Sequence, residues 1–226
     1  MAVLKIRLEG PMQSYGVRGK WDYRDTLNFP TKSAVVGMLG CAFGTPREQL
    51  ESISSRIKVH IRINKSGRVG EDFQIREYKE TERSGEDKFV LHKYFLQDAS
   101  FTVYVEGEDS YIRECYQALL NPVWVIFLGR KSYAPSQPLI TTKEDECVFT
   151  DVEDIEHFIE EDAVKDKEVI KEALLHYFTE EDSGSLILYT EVSNKGQKFY
   201  SPVRLKEHMI SFDNLIGVEE TMEGKE

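Results

Sequence analysis

Apolar and charged residues alternate at two places in the first 65 positions of the chain. Leu4, Ile6 and Leu8 are separated by basic residues, and the same pattern returns over residues 57–63. A period of two predicts β-strands whose two faces differ in character. We therefore expect a sheet with one apolar face and one open, basic face.

The next apolar residues recur at helical spacing. Val35 to Phe43 follow the segment Pro30 to Ser33 and end at Gly44, which predicts a helix with a defined start and stop. A third strand is expected over residues 101–105, a second helix over 111–120 and a fourth strand over 123–128. The order strand, helix, strand, strand, helix, strand predicts an α+β fold of the ferredoxin-like, RNA-recognition type.

Two further segments lie outside this core. The long connection from Asn64 to Ala99 contains two apolar stretches around a charged tip, Glu80 to Lys88. We interpret it as a β-hairpin, a thumb over about residues 73–96, that projects from the sheet. The pattern changes after Pro138, with a helix expected near 167–178 and a strand near 185–192. The predicted domains are therefore residues 1–140, which fold around the sheet, and 141–226, a small acidic C-terminal domain.

Charge is distributed unevenly along the 226 residues, whose net charge is −11. Residues 1–70 hold 12 Lys and Arg against 5 Asp and Glu, whereas residues 144–226 hold 8 against 23. Because partners respond to local fields, the N-terminal part is suited to a polyanion despite the negative total. The acidic C-terminal third is either a solvated surface or a surface that docks a protein.

Hydropathy and cysteine content predict a soluble, cytoplasmic protein. The longest wholly apolar run, Val123 to Leu128, is far too short to cross a bilayer, and no segment resembles a signal peptide. Cys41, Cys115 and Cys147 are widely spaced, so we expect reduced thiols, with no disulfide framework and no zinc site. No other metal and no cofactor is expected.

Three segments have the chemistry of an anion site, each with a plainer alternative. The loop from Glu9 to Gly16 has glycines that allow close approach to phosphates, and Arg18, Lys20 and Arg24 are nearby in the sequence. The alternative is that this loop is an ordinary turn. Pro30 to Ser33 presents N–H groups and hydroxyls at a helix start, or is a simple N-cap. Leu128 to Ser132 contains two adjacent cations where the chain leaves the sheet, which suits a phosphate contact. The alternative is a basic turn that contacts only water.

Catalysis has little support in the sequence. The five histidines show no metal-ligand spacing, and no serine lies in a nucleophile elbow. Only His92-Lys93-Tyr94 combines groups that would activate a ribose 2′-hydroxyl. Neighbouring side chains on a strand point to opposite faces, so the three would not converge.

Several separated motifs resemble the CasD subunit family of the type I-E CRISPR complex Cascade. They occur in the family's order and cover most of residues 4–140. The matching segments are residues 8–16 (LEGPMQSYG), 24–26 (RDT), 29–33 (FPTKS), 36–40 (VGMLG), 94–101 (YFLQDASF), Pro122 and 127–132 (FLGRKS).

The resemblance implies a subunit that binds the 5′ handle of the CRISPR RNA and does not cut it. Its implied partners are the CRISPR RNA, the Cascade backbone subunit and the Cascade large subunit, with target DNA contacted only indirectly. The residues expected to contact RNA are Met12, Gln13, Ser14, Tyr15, Gly16, Arg18, Arg24, Thr31, Lys32, Ser33, Lys93, Arg130, Lys131 and Ser132.

Two other functions remain open at the level of the sequence. One is a metal-independent endoribonuclease that processes CRISPR repeat RNA with His92 or Tyr94 and Lys93, as the related subunit of type I-C systems does. The other is a general RNA-recognition module, which predicts exposed aromatic rings on the central strands. Only Tyr104 meets that expectation, since Lys58, His60 and Arg62 occupy the other positions.

Overall fold

The computed structural model describes residues 1–17, 20, 22–78, 87–194, 197–212 and 215. Its strands are β1 (Ala2–Glu9), β2 (Met12–Gln13), β3 (Tyr23–Arg24), β4 (Ile57–Lys65), β5 (Arg68–Tyr78), β6 (Asp87–Gln97), β7 (Ser100–Gly107), β8 (Val148–Phe149), β9 (Leu174–Glu180), β10 (Leu186–Asn194) and β11 (Gln197–Ser211). Its α-helices are α1 (Lys32–Phe43), α2 (Glu51–Ser54), α3 (Asp109–Leu120) and α4 (Ile155–Lys165).

A seven-stranded antiparallel sheet forms the centre of the molecule, in the order β10-β11-β9-β4-β7-β1-β8. β1 and β4 flank β7 and pair with it along most of their length. The alternation in β1 sends Leu4 into a core shared with α1 and α3, and sends Val3 into a second core shared with α4. The predicted mixture of helices and antiparallel strands is confirmed, and both faces of the sheet are covered.

Helix α1 begins and ends where its flanking residues predict. Thr31 is the N-cap, and its hydroxyl accepts a hydrogen bond from the Ala34 N–H at 3.3 Å. Gly44 ends the helix in the left-handed conformation with φ of 68°, and its N–H bonds the carbonyl of Cys41. These two caps hold the N-terminus of α1 at a defined place beside the loop that follows β1.

The predicted fourth strand over residues 123–128 is wrong. The N–H groups of Val123 and Trp124 bond the carbonyls of Ala42 and Cys41, both at 3.0 Å, so this segment packs on the end of α1 instead of entering the sheet. The outer neighbour of β1 is β8, which contributes only Val148 and Phe149. The apolar run had the composition of a strand, but its hydrogen bonds go to a helix end.

The predicted helix near residues 167–178 is also wrong. The helix in this region is α4, which starts after the N-cap Asp154 and ends at Lys165. β9 then begins at Leu174 and pairs with both β4 and β11. Tertiary pairing overrides the helical propensity of this segment. The strand predicted near 185–192 is confirmed as β10.

A second, smaller sheet is built on β6. β5 and β6 pair antiparallel from Arg68 with Gln97 to Tyr78 with Asp87. β2 pairs antiparallel and β3 parallel with the other edge of β6. Residues 79–86, which include most of the predicted charged tip, lie outside the described residues.

The sheet face expected to be open and basic is covered by α4, so that prediction is wrong. Arg62 is fully buried there, and its guanidinium donates to Asp162 at 2.9 Å and to Asp166 at 2.6 Å. The Lys5 ammonium donates to the same two carboxylates at 2.6 and 2.7 Å. The hydroxyl of Tyr104 donates to Asp162 at 2.6 Å. Asp162 of α4 and the C-cap residue Asp166 therefore neutralise Lys5 and Arg62 on this face.

The carboxylate of Asp166 links folding stability to pH. Burial acts to raise its pKa, but the hydrogen bonds and charges of Lys5 and Arg62 outweigh burial and hold the pKa below its usual value. An unfolded Asp has a pKa of about 3.9, so this stabilisation is present above about pH 4 and is lost as pH falls through the lower folded value. We expect the free energy of unfolding, from urea titrations, to fall between about pH 5 and pH 3, and to fall less in Asp166→Asn.

The exposed Asp182 is the matched control for this pH dependence. Asp182→Asn should keep the slope of the wild-type protein. If Asp166→Asn and the wild-type protein lost stability equally over this pH range, Asp166 would not be a source of the acid sensitivity.

The C-terminal strands are hydrogen-bonded into the main sheet. β8 pairs with β1, and β9 pairs with β4. The division into domains at residue 140 stays a prediction, and any such domain shares this sheet. Within the described part of the chain, no helix combines the length and apolar character needed to span a bilayer.

Candidate nucleic-acid interface

The loop after β1 is fixed from inside the protein. The Gln13 amide donates to the carbonyl of Ala99 at 2.7 Å, and the Tyr15 hydroxyl donates to the Gln13 side-chain oxygen at 2.5 Å. Both side chains are almost fully buried, and burial raises the pKa of the Tyr15 phenol. Met12 packs, partly buried, against the main core. These side chains hold the loop backbone in place, and their own RNA contacts stay predictions.

Gly129 passes directly over this loop. Its φ is 94°, and a Cβ there would lie 1.8 Å from the carbonyl oxygen of Ser14. The Ser14 N–H bonds the carbonyl of Leu128 at 3.1 Å. Only glycine allows this crossing, which brings the loop and the segment 128–132 into one surface.

Gly129→Ala is expected to lower the free energy of unfolding by roughly 1–3 kcal/mol, because it adds a clash to a left-handed conformation. The matched control is Gly37→Ala in α1, where a Cβ would meet nothing within 4 Å. That substitution should stabilise the protein by about 0.5–1 kcal/mol, the gain of alanine over glycine in a helix. Urea denaturation of both variants measures the difference, and equal effects would contradict the crossing.

A cleft of about 490 Å³ lies between the loop, α1 and the segment that follows α3. It brings together the predicted loop, the predicted helix start and the glycine of the predicted basic turn. Its lining comprises Ser14, Tyr15, Gly16, Thr31, Ser33, Ala34, Gly37, Met38, Gly40, Cys41, Thr45, Arg47, Leu50, Trp124, Phe127 and Gly129. Hydroxyls line the end at the helix start, and aromatic rings line another side.

A second cavity, of about 350 Å³, is basic. The parallel pairing of β3 with β6 places Arg24 opposite Lys93, and the antiparallel pairing of β5 with β6 places Arg76 opposite Phe89. We call it the basic cavity, lined by Arg24, Arg76, Phe89, Leu91, Lys93 and Arg130. Four cations from three strands and one loop therefore converge on one space.

Crowding of positive charge is evident at Lys93. Partial burial and the charges of Arg76, Arg130 and Arg24 lower the pKa of its ammonium, against the opposing effect of Asp72. Its Nζ donates to the side-chain oxygen of Gln74 at 2.8 Å. An anion in the basic cavity would relieve this repulsion, which makes the cavity suited to a phosphate.

Arg130 connects the basic cavity with the cleft. Its guanidinium donates to the carbonyl of Tyr94 at 2.9 Å and to the Tyr133 hydroxyl at 2.8 Å. Ser14 also donates to the Tyr94 carbonyl, at 3.3 Å. Because Gly129 lines the cleft and Arg130 lines the basic cavity, the two sites adjoin along one short stretch of backbone.

The remaining predicted residues have different surroundings. The Lys32 ammonium points into the protein, where it donates to Glu180 at 2.6 Å and to the carbonyl of Ile57 at 2.8 Å. Its RNA contact stays a prediction that requires this buried ion pair to break. Lys131 and Ser132 are exposed, and Arg18 lies outside the described residues.

Sequence reasoning missed three residues of these sites. Arg76 lies near the end of β5 and in no sequence motif, and only the strand register brings it to the cavity that Lys93 also lines. Trp124 and Phe127 lie in the segment predicted as a fourth strand, and Trp124 is 47% exposed at the cleft. The only signal in the sequence is a tryptophan a few positions before the predicted basic turn.

Among the residues that the structure describes, one group of side chains has the composition of a metal site. Ligand atoms of Glu156, Glu181 and His208 lie within 4.8 Å of one another. The Lys206 ammonium, however, lies 2.5 Å from Glu156 and supplies positive charge to the group. We therefore interpret it as an ion-pair network.

Comparison with known proteins identifies the family. Residues 3–212 match the model of the family described as CRISPR-associated protein (Cas_Cas5). The chain is 30% identical over 153 residues to the CRISPR system Cascade subunit CasD of Escherichia coli strain K12, an alignment that covers 60% of this chain and 68% of that protein.

Two solved structures share the fold. One is a chain of a CRISPR RNA-guided surveillance complex, with a TM-score of 0.70, 22% identity, and coverage of 92% of this chain and 90% of that chain. The other is described as a Cas protein, with a TM-score of 0.66, 26% identity, and coverage of 93% and 96%. Because the family model spans nearly the whole described chain, the protein belongs to the Cas5 family of CRISPR-associated proteins.

Proposed function

We propose that this chain is an RNA-binding subunit of a type I-E CRISPR surveillance complex, in which it holds the 5′ handle of the CRISPR RNA. The observation behind this proposal is the convergence of Arg24, Arg76, Lys93 and Arg130 on one cavity beside the cleft. Mutual repulsion makes such a cluster unfavourable until an anion neutralises it. The phosphates of a single-stranded RNA supply regularly spaced anions that span both sites.

The relatives support the assembly part of the proposal. One is named as a Cascade subunit, and one structural neighbour comes from an RNA-guided surveillance complex. By this analogy the chain contacts the backbone subunit and the large subunit, meets target DNA only indirectly and acts in the cytoplasm. The acidic C-terminal part, which repels nucleic acid, is then available for protein contacts.

The fold supports the same proposal. We infer that β1, α1, β4, β7, α3 and β8 form a ferredoxin-like unit, because β8, β1, β7 and β4 are adjacent in that order. We also infer that the β5–β6 hairpin is the thumb. The face of the sheet that RNA-recognition modules use lies under α4, so RNA is bound at the basic cavity on the thumb and at the cleft instead.

We propose that the subunit binds RNA without cutting it. His92 and Tyr94 lie on one face of β6 and Lys93 on the other, where Lys93 pairs with Asp72 in register. His92 Nδ1 lies 2.5 Å from a carboxylate oxygen of Glu71. An imidazole, an ammonium and a phenol so divided do not converge on one 2′-hydroxyl.

The test uses the purified full chain with a synthetic CRISPR repeat RNA and a scrambled RNA of equal length. Native gels and denaturing gels are run with and without chelator, over a range of salt. We expect selective binding of the repeat RNA that weakens as salt rises, with the RNA left intact. A discrete cut that resists chelator would overturn the non-catalytic assignment. Equal affinity for both RNAs, or no binding, would overturn selective recognition of the handle by this chain.

A further inference from the structure

Helix α1 forms the floor of the cleft. Ser33, Gly37 and Cys41, spaced four residues apart, lie on the helix face that lines it. At Gly37 a Cβ would meet nothing within 4 Å, so the space above the helix backbone is open. A planar group can therefore approach this part of the helix closely.

One wall of the cleft is aromatic and held in position. Trp124 lines the cleft and is 47% exposed. Its backbone is fixed because its N–H bonds the Cys41 carbonyl and the neighbouring Val123 N–H bonds the Ala42 carbonyl. Phe127 lines the same cleft. A large ring on a rigid backbone, with an open floor beside it, is arranged to stack with a flat ligand.

Polar groups line the cleft at the start of α1. Thr31 and Ser33 have hydroxyl groups 3.0 Å apart, beside Gly16 and Gly129. Hydroxyls bond phosphate or ribose oxygens, and the cleft volume of about 490 Å³ is within the range of small-molecule sites. The aromatic rings on one side of the cleft suit the base of a nucleotide, and the hydroxyls at one end suit its phosphate and ribose.

We propose that the cleft receives one nucleotide turned out of the guide RNA. Its base stacks on Trp124 above Gly37, and its phosphate and ribose lie toward Thr31 and Ser33. The inference rests on the proposed function and goes beyond it by naming the ligand of the cleft. RNA is favoured over an apolar side chain of a protein because the basic cavity adjoins the cleft, with Gly129 lining the cleft and its neighbour Arg130 lining the basic cavity.

Tryptophan fluorescence provides a direct test. The sequence contains two tryptophans, so Trp21→Phe leaves Trp124 as the only one. Labelled repeat RNA reports binding by anisotropy while Trp124 emission reports stacking. We expect binding to quench the emission. In a scan of single abasic nucleotides along the handle, one position should abolish the quenching and the others should not.

Substitutions separate stacking from folding. Trp124→Leu should weaken binding about tenfold, the usual effect of losing one base stack, whereas Trp124→Phe should retain most of the affinity. Gly37→Leu should fill the floor and also weaken binding about tenfold, and Gly37→Ala, which adds only a methyl group to the same space, should weaken binding less than Gly37→Leu does. Circular dichroism confirms that each variant is folded.

The outcomes distinguish this inference from the proposed function. The protein could bind the repeat RNA selectively without quenching of the Trp124 emission, and Trp124→Leu could bind that RNA as tightly as the wild-type protein. Together these two results would overturn the nucleotide site and leave the RNA-binding function intact. No RNA binding by any variant would contradict both. If Trp124→Leu bound RNA normally but failed to assemble with the other subunits, the aromatic wall would be a protein contact, and the nucleotide assignment would be wrong.

Discussion

Arg76→Glu combined with Lys93→Glu is expected to weaken binding of the repeat RNA by about 100-fold at about 0.15 M salt. Each side chain lines the basic cavity, where a charge-assisted hydrogen bond to phosphate contributes on the order of 1.5 kcal/mol or more. Removing two such bonds corresponds to roughly two factors of ten. The slope of log affinity against log salt should also become shallower by about 0.7 for each phosphate that the variant no longer neutralises. Anisotropy titrations at several salt concentrations measure both quantities.

The matched control reverses two charges elsewhere. Lys165 and Lys167 are exposed near the end of α4, and Lys165→Glu with Lys167→Glu changes the net charge by the same amount. This variant should bind RNA within a fewfold of the wild-type protein, since screening over a Debye length of about 8 Å reduces distant effects. Equally weakened binding in the two double variants would show that total charge, and not the basic cavity, determines affinity.

Asp162→Ala is expected to lower the free energy of unfolding by roughly 3–5 kcal/mol. The carboxylate accepts hydrogen bonds from Lys5, Arg62 and Tyr104, and the Arg62 side chain is fully buried. Removing one partner of a buried ion pair leaves the other charge without its compensation, which is among the largest effects of single substitutions. Urea denaturation at neutral pH measures the decrease.

Asp182→Ala is the control for that experiment, because Asp182 is exposed. A surface substitution of this kind should change the free energy of unfolding by no more than about 0.5 kcal/mol. If Asp162→Ala were equally mild, α4 would be held to the sheet by its apolar packing alone. The buried ion pairs would then have little part in covering the sheet face that the sequence predicted to be open and basic.

Much of the candidate site was predictable because it follows local patterns. The loop before Gly16, the helix start at Thr31 and the basic turn at Arg130 have recognisable turn and cap residues, and the structure brings all three to adjoining sites. Arg76 was not predictable, since its position opposite Phe89 depends on the register of a long hairpin. Lys32 was misleading because a sequence does not reveal a partner 148 residues away, Glu180.

The sequence by itself determined the elements whose patterns are local: the alternating strands β1, β4 and β7, the capped helix α1, the helix α3 and the strand character of β5 and β6. It also determined the family, through motifs that keep their order along the chain. Only the tertiary structure decided that residues 123–128 pack on a helix end, that residues 174–180 form a strand and that α4 covers the basic sheet face. In each case distant hydrogen bonds and ion pairs outweighed local preference, since propensities differ by less than about 1 kcal/mol per residue while a buried ion pair, once broken, costs several.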